Sequence, residues 1–93
     1  MIKNFKCNET QKIWYGFFSK KLPNQIQSVA RRKLRMIAAV PRVESLKVPP
    51  ANHLKILKGE KLDRYSIRVN DQWRICFTFY DGNAHDVEII DYH

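Results

Sequence analysis

The side chains able to move protons or hold a phosphate gather late in the chain: Lys58, Arg68, Arg74 and the terminal Asp91-Tyr92-His93. Arginine presents a planar fork of donors that matches phosphate oxygens. Tyrosine and histidine stack on unpaired bases or transfer protons. Cleavage of RNA by its own 2′-hydroxyl needs a proton acceptor, a donor for the leaving 5′-oxygen, and positive charge on the phosphorane. Arg74, Lys58, Tyr92 and His93 are of the types that supply these with no metal. The plainer alternative makes Arg68 and Arg74 ordinary solvated sheet residues, and composition does not separate the two.

Other chemistries lack a pattern. His53 and His85 are isolated, and no HxxH, CxxC or HExxH spacing occurs. Cys7 and Cys76 read as two free thiols in a reducing compartment. Neither GxxxxGK[ST] nor GxGxxG is present, so no nucleotide cofactor is expected, nor any metal.

The 93 residues carry 17 Lys/Arg against 9 Asp/Glu, a net charge of +8. Residues 1–50 hold eleven Lys/Arg and two acids, a net +9; residues 51–93 hold six and seven, a net −1. A basic field concentrated in one half points to polyanionic partners such as RNA or the ribosome. No apolar run approaches the ~20 residues of a membrane span. The opening MIKNFKCNET lacks the apolar stretch of a secretory signal, so a cytoplasmic location is expected.

The elements that must position these residues follow from periodicity. Ile2 and Phe5 suit a short edge strand. Asn8 can cap a helix from Glu9 to about Phe18, with Gln11 in the capping-box position. Trp14, Tyr15, Phe17 and Phe18 read as core. Pro23 suits the first turn of a second helix that Pro41 stops. Its apolar stripe is Ile26, Val29, Ala30, Lys33–Leu34, Ile37 and Ala38. Gln27, Arg31, Arg32 and Arg35 fall on its solvated faces, the arginines facing RNA.

Beyond the prolines at 41, 49 and 50 the period changes to two. Strands are expected around Leu54–Leu57, Tyr65–Val69, Trp73–Tyr80 and Val87–Tyr92, with turns at Asn70-Asp71-Gln72 and Asp81-Gly82-Asn83. Two helices followed by a meander imply one α+β domain over residues 1–93. The helices should pack on one face of a mostly antiparallel, twisted sheet of four or five strands. Ile67, Val69, Trp73, Ile75, Phe77, Phe79, Val87 and Ile89 should form the packed face. Alternation then puts Arg68, Arg74, Thr78 and Tyr92 together on the opposite, wetter face.

The run Tyr65-Ser-Ile-Arg-Val-Asn-Asp-Gln-Trp-Arg-Ile-Cys-Phe-Thr-Phe79 and the ending Val87-Glu-Ile-Ile-Asp-Tyr-His93 resemble HigB-type toxins of the RelE superfamily. Ile2–Phe5, Ala30–Leu34 and the Pro-Pro-Ala-Asn-His-Leu stretch to residue 54 fit as well, so the resemblance spans essentially the whole chain. It implies a RelE-like, microbial-RNase-like fold and the toxin of a type II toxin–antitoxin pair. Such toxins enter the ribosomal A site on the 30S subunit and cut mRNA without metal. The implied partner is a HigA-like helix-turn-helix antitoxin, through which alone the toxin meets operator DNA.

By residue-wise match, Arg74 would stabilise the phosphorane. Asp91, Tyr92 and His93 would form the functional terminus, and Lys58 matches the lysine before the family glycine. Several members read His-Pro-Leu-Lys-Gly where this chain reads Lys55-Ile-Leu-Lys58-Gly59, so Lys55 stands at their histidine's place. Lys55, His53 and Arg68 are then expected on the RNA. The competing readings are a basic ribosome-binding inhibitor that does not cut, and an inactive corepressor of the antitoxin.

Overall fold

The computed structural model describes residues 1–91; Tyr92 and His93 lie outside the described residues. Helix α1 spans Asn8–Trp14 and helix α2 spans Asn24–Ala39. Two short 3₁₀ turns, Val43–Lys47 and Pro50–Asn52, carry the chain through the proline-rich segment. Four strands follow: β1 (Lys55–Leu57), β2 (Arg64–Arg68), β3 (Trp73–Tyr80) and β4 (Asn83–Asp91). They pair in sequence order, each antiparallel to the next. This is the expected α+β meander.

The opening segment runs parallel to β4 on its outer edge, through bridges Ile2↔Ala84 and Phe5↔Val87. It makes an incomplete fifth strand. A bulge interrupts β4 opposite Cys76–Thr78, where Asp86 takes φ 51°. Aspartate tolerates that left-handed conformation better than most residues. Asn4 clamps it: its Nδ2 donates to Asp86 Oδ1 at 2.7 Å, and the Asp86 amide donates to Asn4 Oδ1 at 3.0 Å.

Helix α1 starts and ends earlier than its periodicity predicts. Cys7, not Asn8, is the N-cap, and its Sγ accepts from the Thr10 amide at 3.4 Å. At the other end Gly16 adopts φ 86°. Its amide donates to Ile13 O at 3.1 Å, and the Phe17 amide donates to Lys12 O at 2.8 Å. These two bonds form a Schellman closure around a left-handed glycine, which stops the helix at Trp14. Helix α2 begins directly after Pro23 and ends before Pro41, as the prolines dictate.

The helices cover one sheet face. Ile13, Ile26, Ala30, Leu34, Ile37 and Leu46 meet Ile67, Ile75, Phe77, Ala84, Val87 and Ile89 in a single core. Val69, Trp73 and Phe79, expected in that face, are partly buried at its margins. One polar contact ties α1 to the sheet: the Ile89 amide donates to Thr10 Oγ1 at 2.9 Å, and Thr10 is fully buried. Thr10→Val keeps the shape but leaves that strand amide without its acceptor. The variant should lose about 2 kcal/mol of stability. Urea unfolding measures the loss, and hydrogen exchange should show the Ile89 amide exposed; an unchanged amide would mean that the threonine does not hold the strand.

Candidate active site

Arg74 sits near the start of β3, flanked by β2 and β4, and pairs with Arg68 across the strand gap. Register puts Lys55, Ser66, Arg68, Arg74, Cys76 and Thr78 on the face away from the helices. The expected grouping of Arg68, Arg74 and Thr78 is therefore present. The expected wetness is not. Arg74 is only 5% exposed, and Ser66, Cys76 and Thr78 are buried with it.

The reason is the segment that follows Asn52. His53 takes a left-handed turn, φ 44°, which aims its carbonyl at the sheet. Arg74 Nη2 donates to that carbonyl and to Ser66 O at 3.1 Å, while its Nε donates to Ser66 Oγ at 2.9 Å. The guanidinium is thus held in one orientation by protein acceptors.

The same segment is locked from below by a second buried cation. Lys33 lies on the inner stripe of α2, only 5% exposed, and its Nζ donates to Asn52 Oδ1. Asn52 is fully buried and donates through Nδ2 to Leu46 O at 3.1 Å and Val48 O at 3.4 Å. Burial pushes the Lys33 ammonium below the usual lysine range, and the positive charges of Arg32 and Arg68 push the same way. Lys33 and Asn52 thereby join α2 to the turn that holds Arg74. Sequence reasoning missed both as site residues, although Lys33 falls beside Leu34 in the apolar repeat, a position where a charge calls for a partner.

The remaining candidates divide. Lys55 lies on the Arg74 face, one strand away. Arg68 is ion-paired with Asp71. Lys58 is exposed beyond β1 and pairs with Asp63 at 3.3 Å. Gly59 beside it is obligatory, because a Cβ there would lie 2.1 Å from the Leu62 carbonyl oxygen. The His53 side chain is exposed. Asp91 pairs with Trp73, so by register it lies on the helix side, opposite Arg74, and it accepts from Gln72 Nε2 at 2.9 Å. Tyr92 and His93 fall outside the described residues.

The basic stripe of α2 is corrected in two places. Arg31 is half-buried and donates through Nε to Ile13 O at 3.0 Å, joining the helices instead of facing solvent. Gln27 is buried under the loop after α1. Arg32 and Arg35 are exposed as expected.

Further along the open face Arg64 reaches Glu88 at 2.8 Å, with Lys6 at 3.6 Å from the same carboxylate. Burial between them pushes the Cys76 thiol up, which leaves it protonated and inert. Tyr80 stacks on His85, ring centroids 3.8 Å apart and planes nearly parallel, an aromatic pair that alternation did not reveal. Among the described residues no three His, Cys, Asp or Glu side chains group to hold a metal, and no helix is long and apolar enough to cross a membrane.

Helices thus cover one face of the sheet, and the other carries Lys55, Arg68 and Arg74. A family model described as the RelE-like toxin HigB of type II toxin–antitoxin systems covers residues 3–93. The chain belongs to the HigB-like toxin family. It is 36% identical over 63 residues to Toxin HigB-1 of Vibrio cholerae, covering 68% of this chain and 66% of that one. Endoribonuclease HigB of Proteus vulgaris is 29% identical over 93 residues, the full length of both. An uncharacterised protein of Haemophilus influenzae is 39% identical over 73 residues, or 78% of this chain and 72% of that protein. Membership of a HigB-like type II system implies an antitoxin partner.

Two consequences of this arrangement can be measured. Arg74→Ala removes a buried guanidinium together with its bonds to Ser66 and His53, so it should cost about 2–3 kcal/mol in urea unfolding, contrary to its expected place on a wet face. Lys33 bears on pH. Its folded pKa lies below 10.5, so the unfolded chain binds more protons between the two values, and stability rises with pH through that window. Relative to Lys33→Met, the wild-type protein should therefore gain stability as the pH rises towards the ordinary lysine value. A difference that stays constant with pH would mean that the ammonium suffers no penalty on burial.

Proposed function

We propose that the chain is a ribosome-dependent endoribonuclease that cuts mRNA in the A site of the 30S subunit. The observation that carries the reading is the convergence of Lys55, Arg68 and Arg74 on one sheet face. The 2′-hydroxyl loses its proton to a basic group and attacks the adjacent phosphorus. The bond to the 5′-oxygen breaks, and that oxygen takes a proton. A 2′,3′-cyclic phosphate and a 5′-hydroxyl result. Arg74, Lys55 and Arg68 place positive charge around the phosphorane. Tyr92, His93 and Lys58 are the groups assigned to proton transfer and its support; Asp91, on the helix side of the sheet and engaged by Gln72, is left out of that role.

The exposed Arg32 and Arg35, within the net +9 of residues 1–50, suit a long-range attraction to rRNA. Among the described residues, the carboxylates nearest the Arg74 face are already engaged, Glu88 by Arg64 and Lys6 and Asp71 by Arg68, so neither stands ready as a strong base. Orientation of the 2′-hydroxyl is then the ribosome's task, a contribution worth several kcal/mol. The antitoxin is of the HigA-like helix-turn-helix type, and the toxin acts in the cytoplasm.

A second reading has one observation in its favour. Arg74 is engaged by Ser66 and His53, as in a purely structural residue. That fits an inhibitor that occupies the ribosome without cutting.

Primer extension on translated mRNA after induction separates the two. Discrete cuts are expected, with naked RNA left almost intact. Deletion of Tyr92-His93 should reduce cleavage by about 10²–10⁴ with the melting temperature retained. Stalled ribosomes on uncut message would establish the inhibitor instead.

A further inference from the structure

Three aromatic side chains expected in the core stand in solvent: Tyr15 is 62% exposed, Phe17 65% and Phe18 60%. Their exposure is not the result of a loose loop. The Schellman closure fixes Phe17 through its amide, and Ser19 immediately beyond is fully buried. The Ser19 amide donates to Gln27 Oε1 at 3.0 Å, Gln27 Nε2 donates to Ser19 O at 2.7 Å, and Ser19 Oγ donates to Glu9. A loop stitched to both helices thus holds its rings outward, and preorganised aromatic anchors are what binding surfaces use.

The rings border a shallow groove along α1, lined by Asn8, Glu9, Gln11, Lys12, Tyr15 and Phe17. Lys12, Lys20 and Lys21 are exposed around it. Glu9, the acid nearest the rings, is already engaged by Lys12 at 3.2 Å and by Ser19, and these bonds hold its carboxyl below the usual range. The patch is therefore apolar at its centre and basic at its rim.

We propose that this loop and the groove beside it are the docking surface for an acidic segment of the antitoxin, whose apolar side chains cover Tyr15, Phe17 and Phe18 while its carboxylates meet Lys12, Lys20 and Lys21. Charge complementarity decides for an acidic partner. Protein is favoured over RNA because two of the three rings are phenyls, which pack against apolar side chains and offer no hydrogen bond to a base edge. The helices also lie on the sheet face opposite Arg74, so one RNA strand on the Lys55–Arg68–Arg74 face does not extend naturally to this loop. The inference rests on the antitoxin pairing of the proposed function and does not depend on catalysis.

The test uses the full chain and the antitoxin encoded beside its gene, with affinity measured by titration calorimetry. Phe17→Ser with Phe18→Ser should weaken binding about 100-fold. Lys20→Glu with Lys21→Glu should weaken it about 10-fold and flatten its salt dependence. Growth arrest by the serine variant alone should match the wild type, while its rescue by co-expressed antitoxin is lost. Melting temperature checks the fold. If the wild type binds and the serine variant binds equally well, the surface is wrong and the pairing stands. Failure of the wild type itself to bind would overturn the pairing and the surface together. Loss of ribosome association with antitoxin binding unchanged would make the patch an RNA surface, and a wild-type dimer that the serine variant breaks would make it a contact between copies; either overturns the proposal.

Discussion

Two cations buried within one small domain set the constraint on which the site depends. A charge removed from water is costly unless acceptors replace its hydration. Arg74 meets this need with the Ser66 hydroxyl and two backbone carbonyls, and Lys33 with the Asn52 amide oxygen. One acceptor of each cation, the His53 carbonyl for Arg74 and the Asn52 amide oxygen for Lys33, lies at the end of the proline-rich segment. That segment has little regular structure of its own, and it is placed because the cations require it there. The left-handed turn at His53, unfavourable for a histidine in isolation, is held by the Arg74 bond that it makes possible.

This arrangement gives the molecule two unlike sides. On one, apolar residues of α1 and α2 fill the sheet face, and Thr10 and Arg31 satisfy backbone groups that packing would otherwise leave bare. On the other, arginines and a lysine lie in adjacent rows with few acids among them, Asp71 and Glu88 being the nearest. Positive charge concentrated on one rigid sheet face suits a phosphate chain, and rigidity is what keeps charge aimed where negative charge develops in a transition state. The aromatic loop after α1 belongs to the first side, so it and the arginine face point to opposite sides of the sheet.

Rigid presentation recurs at both surfaces by different means. Phe17 is held outward by a glycine-based helix closure and by Ser19 beneath it; Arg74 is held inward by carbonyls. In each case a buried polar side chain with several bonds, Gln27 or Asn52, fixes a loop that lacks a core of its own. Polar groups buried in this way are satisfied or very costly, which is why they specify one loop conformation.

Periodicity and punctuation in the sequence determined the architecture: two helices bounded by Pro23 and Pro41, a four-stranded meander, and the residues of each sheet face. The grouping of Arg68, Arg74 and Thr78 was equally legible, because alternation along a strand is a local property, whereas the register of β1 that adds Lys55 to it came from the structure. Burial was not. A single strand carries no record of what lies above it, so Arg74 read as wet when the carbonyl that covers it comes from 21 residues away. Arg31 and Gln27 read as solvated because their partners, Ile13 and Ser19, lie on other elements. Phe17 and Phe18 read as core because helical spacing was extended past Gly16, where the backbone turns left-handed and sends the chain outward. Composition and period state which side chains can lie together; which of them meet water is settled by long-range packing, and that only the tertiary structure decided.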